Sequence, residues 1–238
     1  AGTDSEITTV GYYCNPIQYA EHRKTLENVI CTAGKFGATH VSTFAGAWEG
    51  KPVESAYEEF GKVFRELADL AEEKGVKLGI ENCLMDGTWE HATCNIGFNP
   101  KAWEVMFEEV KNDNFGLEWE PTHQMVQLID PVTELRKWCK KIVHIHGKDA
   151  TIDWDAVRHS GISGAVPFVW HRMPGFGDTN WRDIISILRS NGYEDDICIE
   201  GYHDPVYSGE LEMTGQLHAL NYLKWCRGGD FTQTPWEK

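Results

Sequence analysis

The chain has 238 residues, 41% of them hydrophobic, and a formal net charge of −15. That apolar fraction supports a sizeable core and argues against disorder, and no run of about 18 apolar residues offers a membrane-spanning helix. The excess negative charge repels phosphate backbones, so nucleic acid is a poor partner; a neutral or cationic small molecule, or a local need for cations, fits better.

The predicted elements alternate strand and helix along the chain. A strand over Ile7–Tyr13 is followed by a helix over Ala20–Phe36, a strand over His40–Ala45 and a helix over Glu54–Lys74. Next come a strand at Lys77–Asn82, a long loop Asp86–Asn99, a helix at Pro100–Asn112 and a strand at Phe115–Glu120. A helix at Pro131–Lys140, a strand at Lys141–Lys148 and a second long loop, Ala150–Asn180, lead to a helix at Trp181–Ser190. A strand at Asp196–Tyr202 and a helix at Glu210–Cys226 complete the set. Asn99-Pro100 and Asp130-Pro131 have the order of a capping side chain followed by a first-turn proline. Gly75, Gly192 and Gly228 stand where helices end in a left-handed residue.

Strict β-then-α order predicts a parallel sheet, and the absence of GxGxxG after the first strand argues against a dinucleotide fold. The expected architecture is a TIM (β/α) barrel forming one domain over residues 1–238. Six strands are found where a closed barrel needs eight, so the expectation is a barrel lacking its first one or two βα units, which would precede Ile7. The polar start AGTDSEITTV does not read as a signal peptide. Seven cysteines with no CxxC pair read as reduced thiols, which suits a cytoplasmic protein.

Side chains alternate faces along a strand, so each strand divides into two columns. Leu78 and Ile80 oppose Gly79 and Glu81; Phe115, Leu117 and Trp119 oppose Gly116, Glu118 and Glu120. Val143 and Ile145 oppose His144 and His146; Ile197 and Ile199 oppose Cys198 and Glu200. In a barrel the apolar column meets the helices and the polar column faces the axis. The last polar members, Glu81, Glu120, His146 and Glu200, would then converge at the C-terminal rim. Three carboxylates in such a space repel one another, and a divalent cation relieves the conflict. Mixed carboxylate and imidazole ligands suit Mn²⁺ first, with Mg²⁺, Co²⁺ or Zn²⁺ as alternatives.

The stretches GIEN (Gly79–Asn82), EPTH (Glu120–His123), HIHGKD (His144–Asp149), RMPGFGDTNW (Arg172–Trp181) and IEGYHDP (Ile199–Pro205) occur in that order. As an ordered set they resemble the xylose isomerase-like TIM-barrel superfamily, the sugar isomerases, epimerases and related enzymes. The resemblance implies that Glu81, Glu120, His146 and Glu200 are metal ligands. Glu120 departs from the family's usual Asp and is one methylene longer. His123 matches a substrate-binding histidine and Arg172 an arginine of the active-site loop.

The activity implied is a metal-dependent sugar isomerase or epimerase working by α-proton abstraction through an enediolate. Glu81 and Glu200 would be its acid/base pair, with His123 orienting a hydroxyl. Lys148 is expected either to neutralise an oxyanion or to pair with Asp149, the pairing being the preferred reading. Arg172 would hold a polar end of the substrate or brace its loop, and Trp48 would line an apolar wall for a sugar ring. His144 reads as a hydrogen-bonded supporting residue, and His203 and Asp204 as parts of a structured turn. The alternative activity is an inosose dehydratase-like lyase on the same metal site, which starts with the same proton abstraction. An endonuclease IV-like nuclease fits poorly with the net charge of −15 and the shortage of extra histidines. The expected substrate is a small sugar or cyclitol, with no nucleic-acid or membrane partner; many relatives associate, and homo-oligomerisation is left open.

Overall fold

The computed structural model describes residues 5–201 and 203–229. Six strands form one parallel sheet in chain order: β1 (Thr9–Gly11), β2 (His40–Thr43), β3 (Lys77–Glu81), β4 (Phe115–Trp119), β5 (Ile142–Gly147) and β8 (Ile197–Ile199). The helices between them are α1 (Ala20–Ala33), α2 (Tyr57–Glu73), α3 (Pro100–Glu109), α4 (Thr122–Met125), α5 (Pro131–Trp138) and α7 (Trp181–Ser190), with α8 (Glu212–Arg227) after the last strand. Sequential parallel pairing with helical crossovers is what a βα repeat builds when both strand faces must be buried.

The first and last strands are shorter than their apolar patterns suggest, Thr9–Gly11 against Ile7–Tyr13 and Ile197–Ile199 against Asp196–Tyr202. Tyr202 lies outside the described residues. Each of these strands has a paired neighbour on one side only, so ladder hydrogen bonds hold fewer residues. The sheet nevertheless curls as a barrel wall does. Asp195, just before β8, reaches Lys77 Nζ at 2.6 Å and His40 Nε2 at 3.6 Å across the interior. The result is a six-stranded partial TIM barrel, as the strand count predicts.

The long segment after β5 is not the plain loop expected of Ala150–Asn180. It contains a two-stranded antiparallel ribbon, β6 (Asp149–Ile152) with β7 (Val169–Arg172), joined through α6 (Trp154–Ser160). Four-residue strands set among polar and glycine residues carry too few alternations to announce themselves.

The helix signals hold. Asn99 accepts from Lys101 N, and Asp130 accepts from Val132 N and Thr133 N. Gly75, Gly192 and Gly228 take positive φ of 69°, 78° and 88°. The outward column of the sheet, including Leu78, Ile80, Phe115, Leu117, Trp119 and Ile145, packs in one core with Phe60, Phe64 and Leu67 of α2 and Trp103 and Met106 of α3. No helix of the described residues is long and apolar enough to cross a membrane.

One irregularity shapes the interior. β4 and β5 pair Leu117 with Ile142 but Glu118 with His144, so the register slips by one residue at Val143. A bulge of this kind turns an extra side chain. Val143 does not oppose His144 as simple alternation requires. Its methyls lie against the axis-side glycines, so that a Cβ on Gly116 would stand 2.6 Å from Val143 Cγ1 and 2.4 Å from the Lys141 carbonyl oxygen. Gly116→Ala is therefore expected to destabilise the chain by about 1–3 kcal/mol through overpacking against rigid backbone. Denaturant unfolding checks it; a variant as stable as the parent would show that β5 can yield.

Candidate metal centre

The C-terminal ends of all six parallel strands open on one cavity of about 710 Å³. Tyr13 and Phe44 enter it beyond β1 and β2, Glu81 and Cys83 at the end of β3, His123 beyond β4, His146 from β5 and Lys148 just after it, and Glu200 beyond β8. Two asparagines fix this rim. Asn82 bridges β3 and β4, accepting from Glu120 N at 2.8 Å and donating to Glu120 O at 2.9 Å. Asn95 donates to the carbonyls of Glu81 and Cys83 and accepts from Ala45 N. Buried amides that satisfy several backbone groups act as clamps.

The four candidate ligands read from strand alternation come together. Glu81, Glu120, His146 and Glu200 each offer one ligand atom, and these atoms all lie within 4.8 Å of one another. Ligands on opposite sides of an ion with bonds of about 2.0–2.4 Å span that distance. His146 Nδ1 stands 3.2 Å from both Glu81 Oε1 and Glu200 Oε2. Glu120 is wholly buried, and its extra methylene is accommodated beside His123, whose Nε2 is 2.8 Å from Glu120 Oε1. The turn begun by Pro121 places His123 there, three residues on.

The donor set fits an ion. Both oxygens of Glu120, Glu200 Oε2 and Glu118 Oε1 are buried without a properly aligned hydrogen-bond donor, although His123, Lys148 and His146 stand 2.8–3.6 Å away. Acceptor atoms that converge yet remain unsatisfied are what a coordination shell requires of its ligands.

Charge is balanced by cations at the same rim. Burial raises the Glu81 carboxyl, and the Glu120 and Glu118 charges add to that shift. Burial also opposes ionisation of Glu120, but His123 and Lys148 outweigh it and hold that carboxyl low. Glu200 is likewise held low, by His146 and Lys148 against its burial. His123 is raised to about 10: burial disfavours its charge, and Glu120 more than compensates. His171, close to Lys148 and His123, is kept neutral by burial and by those cations, lowered to about 4.

Lys148 does not pair with Asp149. Its Nζ bonds Glu200 Oε1 at 2.9 Å and lies 3.6 Å from Glu120 Oε2. Asp149 turns the other way and accepts from the backbone N–H groups of Ala150, Gly175 and Thr179, tying β6 to the glycine-rich loop. Arg172 does not line the cavity; its Nε donates to Asp204 Oδ2 at 3.1 Å, so it braces the loop. Asp204 also accepts from Met173 N, Val206 N and Tyr207 N, making the structured turn anticipated for this stretch. Trp48 also lies outside the cavity lining and packs against the core, in a segment beyond β2 that is tied to Asn15 and to the loop after β3 through Ala47 N, Gly50 N and Ala92 N. His203 lines the cavity.

Three groups escaped the sequence reading. Glu118, fully buried, is the lateral partner of Glu81 and stands 3.3 Å from His146 Nε2. Tyr13 donates to Glu118 Oε2 at 2.8 Å. His171 joins the lining from β7. Glu118 was visible in the polar column, but its place beside Glu81 needed the strand register.

The model for the xylose isomerase-like TIM barrel matches residues 3–224. The chain belongs to that family. Inosose dehydratase of Clostridium tetani is 26% identical over 182 residues, covering 74% of this chain and 57% of that protein. The chain thus spans little more than half the length of this relative. Two solved members share the fold: D-psicose 3-epimerase, with a TM-score of 0.69 and 16% identity over 94% of this chain and 79% of the other, and the IOLI protein with a zinc atom, with a TM-score of 0.68 and 20% identity over 96% and 77%. At such identities the xylose isomerase-like fold alone is shared with these two.

Proposed function

We propose that this chain carries the active site of a metal-dependent lyase of the inosose dehydratase type, which removes water from a cyclic polyhydroxy ketone. The observation that carries the reading is the gathering of Glu81, Glu120, His146 and Glu200 within 4.8 Å beside His123 and Lys148. The curated relative from Clostridium tetani, named inosose dehydratase, favours the lyase over the isomerase or epimerase that the sequence motifs alone suggest.

Glu81, Glu120, His146 and Glu200 would hold a divalent cation, which would supply positive charge beside the carbonyl oxygen of the substrate. Mixed oxygen and nitrogen ligands admit manganese, magnesium, cobalt or zinc, and zinc is the metal named for the solved IOLI protein. Glu200, held ionised by Lys148, takes the α-proton of the ketone. His123, kept protonated by Glu120 and facing the cavity, gives its proton to the β-hydroxyl as the C–O bond breaks. The C–H electron pair becomes the new C=C bond, the hydroxyl leaves as water, and neither oxidant nor reductant is needed. Lys148 holds Glu200 in place and offsets the negative charge around it.

Incubating the protein with an inosose and Mn²⁺ or Zn²⁺ is expected to produce the absorbance of a conjugated enone and a product lighter by one water. Deuterium uptake from D₂O into a ketose or its epimer, with no enone formed, would overturn the lyase in favour of the isomerase or epimerase.

A further inference from the structure

Glu118 has no part in the ligand set or in the chemistry above, yet it is as fully buried as Glu120. It is 0% exposed, and one of its oxygens, Oε2, accepts from the Tyr13 hydroxyl at 2.8 Å. The other, Oε1, has no aligned donor and faces His146 Nε2 at 3.3 Å. The opposite nitrogen of the same ring, Nδ1, stands 3.2 Å from both Glu81 Oε1 and Glu200 Oε2. The imidazole of His146 is thus divided: one nitrogen toward the ligand set, the other toward Glu118.

A histidine that gives one lone pair to an ion carries its N–H on the other nitrogen, and that N–H needs an acceptor. We propose that Glu118, itself anchored by Tyr13, is a positioning residue for the metal centre: it receives the Nε2–H of His146 and so leaves Nδ1 unprotonated and aimed at the ion, an inference that rests on the metal-dependent reading above. The fold makes the arrangement in two steps. Parallel register sets Glu118 beside Glu81, and the bulge at Val143 aligns β5 so that Glu118 pairs with His144 and the next axis-facing residue, His146, spans the two carboxylates. Tyr13 comes from beyond the edge strand β1 and reaches Glu118 across the curled sheet.

The competing use of these residues is a second ion held by Glu118, His144 and His146, whose ligand atoms also lie within 4.8 Å of one another. That arrangement would require His146 to surrender both ring protons and bridge two ions. The positioning role requires the loss of only one, and His144 Nε2 stands 3.8 Å from Glu118 Oε1, outside hydrogen-bonding distance.

The test is zinc titration against a competing chelator for the parent, Glu118→Gln, Glu118→Ala, Tyr13→Phe and His144→Ala, with ¹⁵N imidazole spectra of the zinc-loaded parent. Loss of an outer-shell partner typically costs 10–100-fold in metal affinity. Glu118→Ala is expected to weaken zinc by about that factor, Glu118→Gln by less because its carbonyl still accepts, and Tyr13→Phe in the same direction with the metal-free melting temperature near the parent's. The spectra should place the His146 proton on Nε2. Should Glu118→Ala not fold, Glu118→Gln and Tyr13→Phe decide the matter. Parental zinc affinity in every Glu118 and Tyr13 variant, or a proton on Nδ1, overturns this inference and leaves the metal reading standing. A parent that takes up no zinc overturns both. Two zinc ions per chain, the second lost in His144→Ala, overturn it in favour of the second ion.

Discussion

His146→Ala is expected to destabilise the metal-free chain by about 3–5 kcal/mol and to abolish metal uptake. Three carboxylates meet this one ring: Glu81 and Glu200 at Nδ1, Glu118 at Nε2. Glu118 and Glu81 are lateral neighbours in the sheet and almost wholly buried, at 0% and 7% exposure. Removing the cation between them leaves buried like charges uncompensated, the situation in which breaking a buried pair costs most. The deleted side chain also leaves a void at the cavity floor. Lys148 cannot take over, because it is already held between Glu200 and Glu120. Denaturant unfolding of both proteins in the presence of chelator measures the loss. A variant as stable as the parent would mean that the three glutamates do not depend on the imidazole, and the charge balance described for the site would fall.

The second large effect is the response to metal. In chelator the parent is expected to lose turnover completely, and a divalent ion restored at about a hundredfold over its Kd should stabilise the fold by about 2.7 kcal/mol. For a chain of this length that corresponds to a rise in melting temperature of roughly 5–10 °C. The sign follows from the ligand atoms. Glu120 Oε1, Glu120 Oε2 and Glu200 Oε2 are buried without aligned donors, so the folded chain offers an ion a preformed shell that the unfolded chain does not. Glu81→Gln and Glu200→Gln should flatten this response, since each removes one member of the four-atom cluster. Scanning calorimetry with and without metal checks it. A melting temperature that does not move with Mn²⁺, Zn²⁺, Mg²⁺ or Co²⁺ would remove the basis for metal-dependent chemistry here.

Strand alternation carried the sequence reading as far as local rules reach. A period of two decides which side of its strand each residue takes, and a parallel sheet brings the ends of its strands to one rim, so Glu81, Glu120, His146 and Glu200 could be named before any coordinates. The helix caps at Asn99 and Asp130 were legible for the same reason: they depend on residues two and three positions away. Lys148 and Arg172 show where the reading stopped. Adjacency in sequence favours Asp149 as the partner of Lys148 and leaves Arg172 open between a substrate contact and a loop brace, whereas the structure pairs Lys148 with Glu200, 52 residues on, and has Arg172 brace its loop through Asp204, 32 residues on. Trp48 failed in the same way, because whether a loop tryptophan meets the cavity or the core depends on how the loop folds back.

The amino-acid sequence by itself determined the βα order, the faces of the strands apart from Val143, and the convergence of Glu81, Glu120, His146 and Glu200 on one rim, since each follows from short-range sterics and periodicity. Only the tertiary structure decided the register of Glu81 against Glu118, the slip at Val143, the reach of Tyr13 across the sheet and the ribbon of β6 and β7. These depend on how strands slide and curl against one another, and that is set by packing summed over the whole sheet rather than by any one segment.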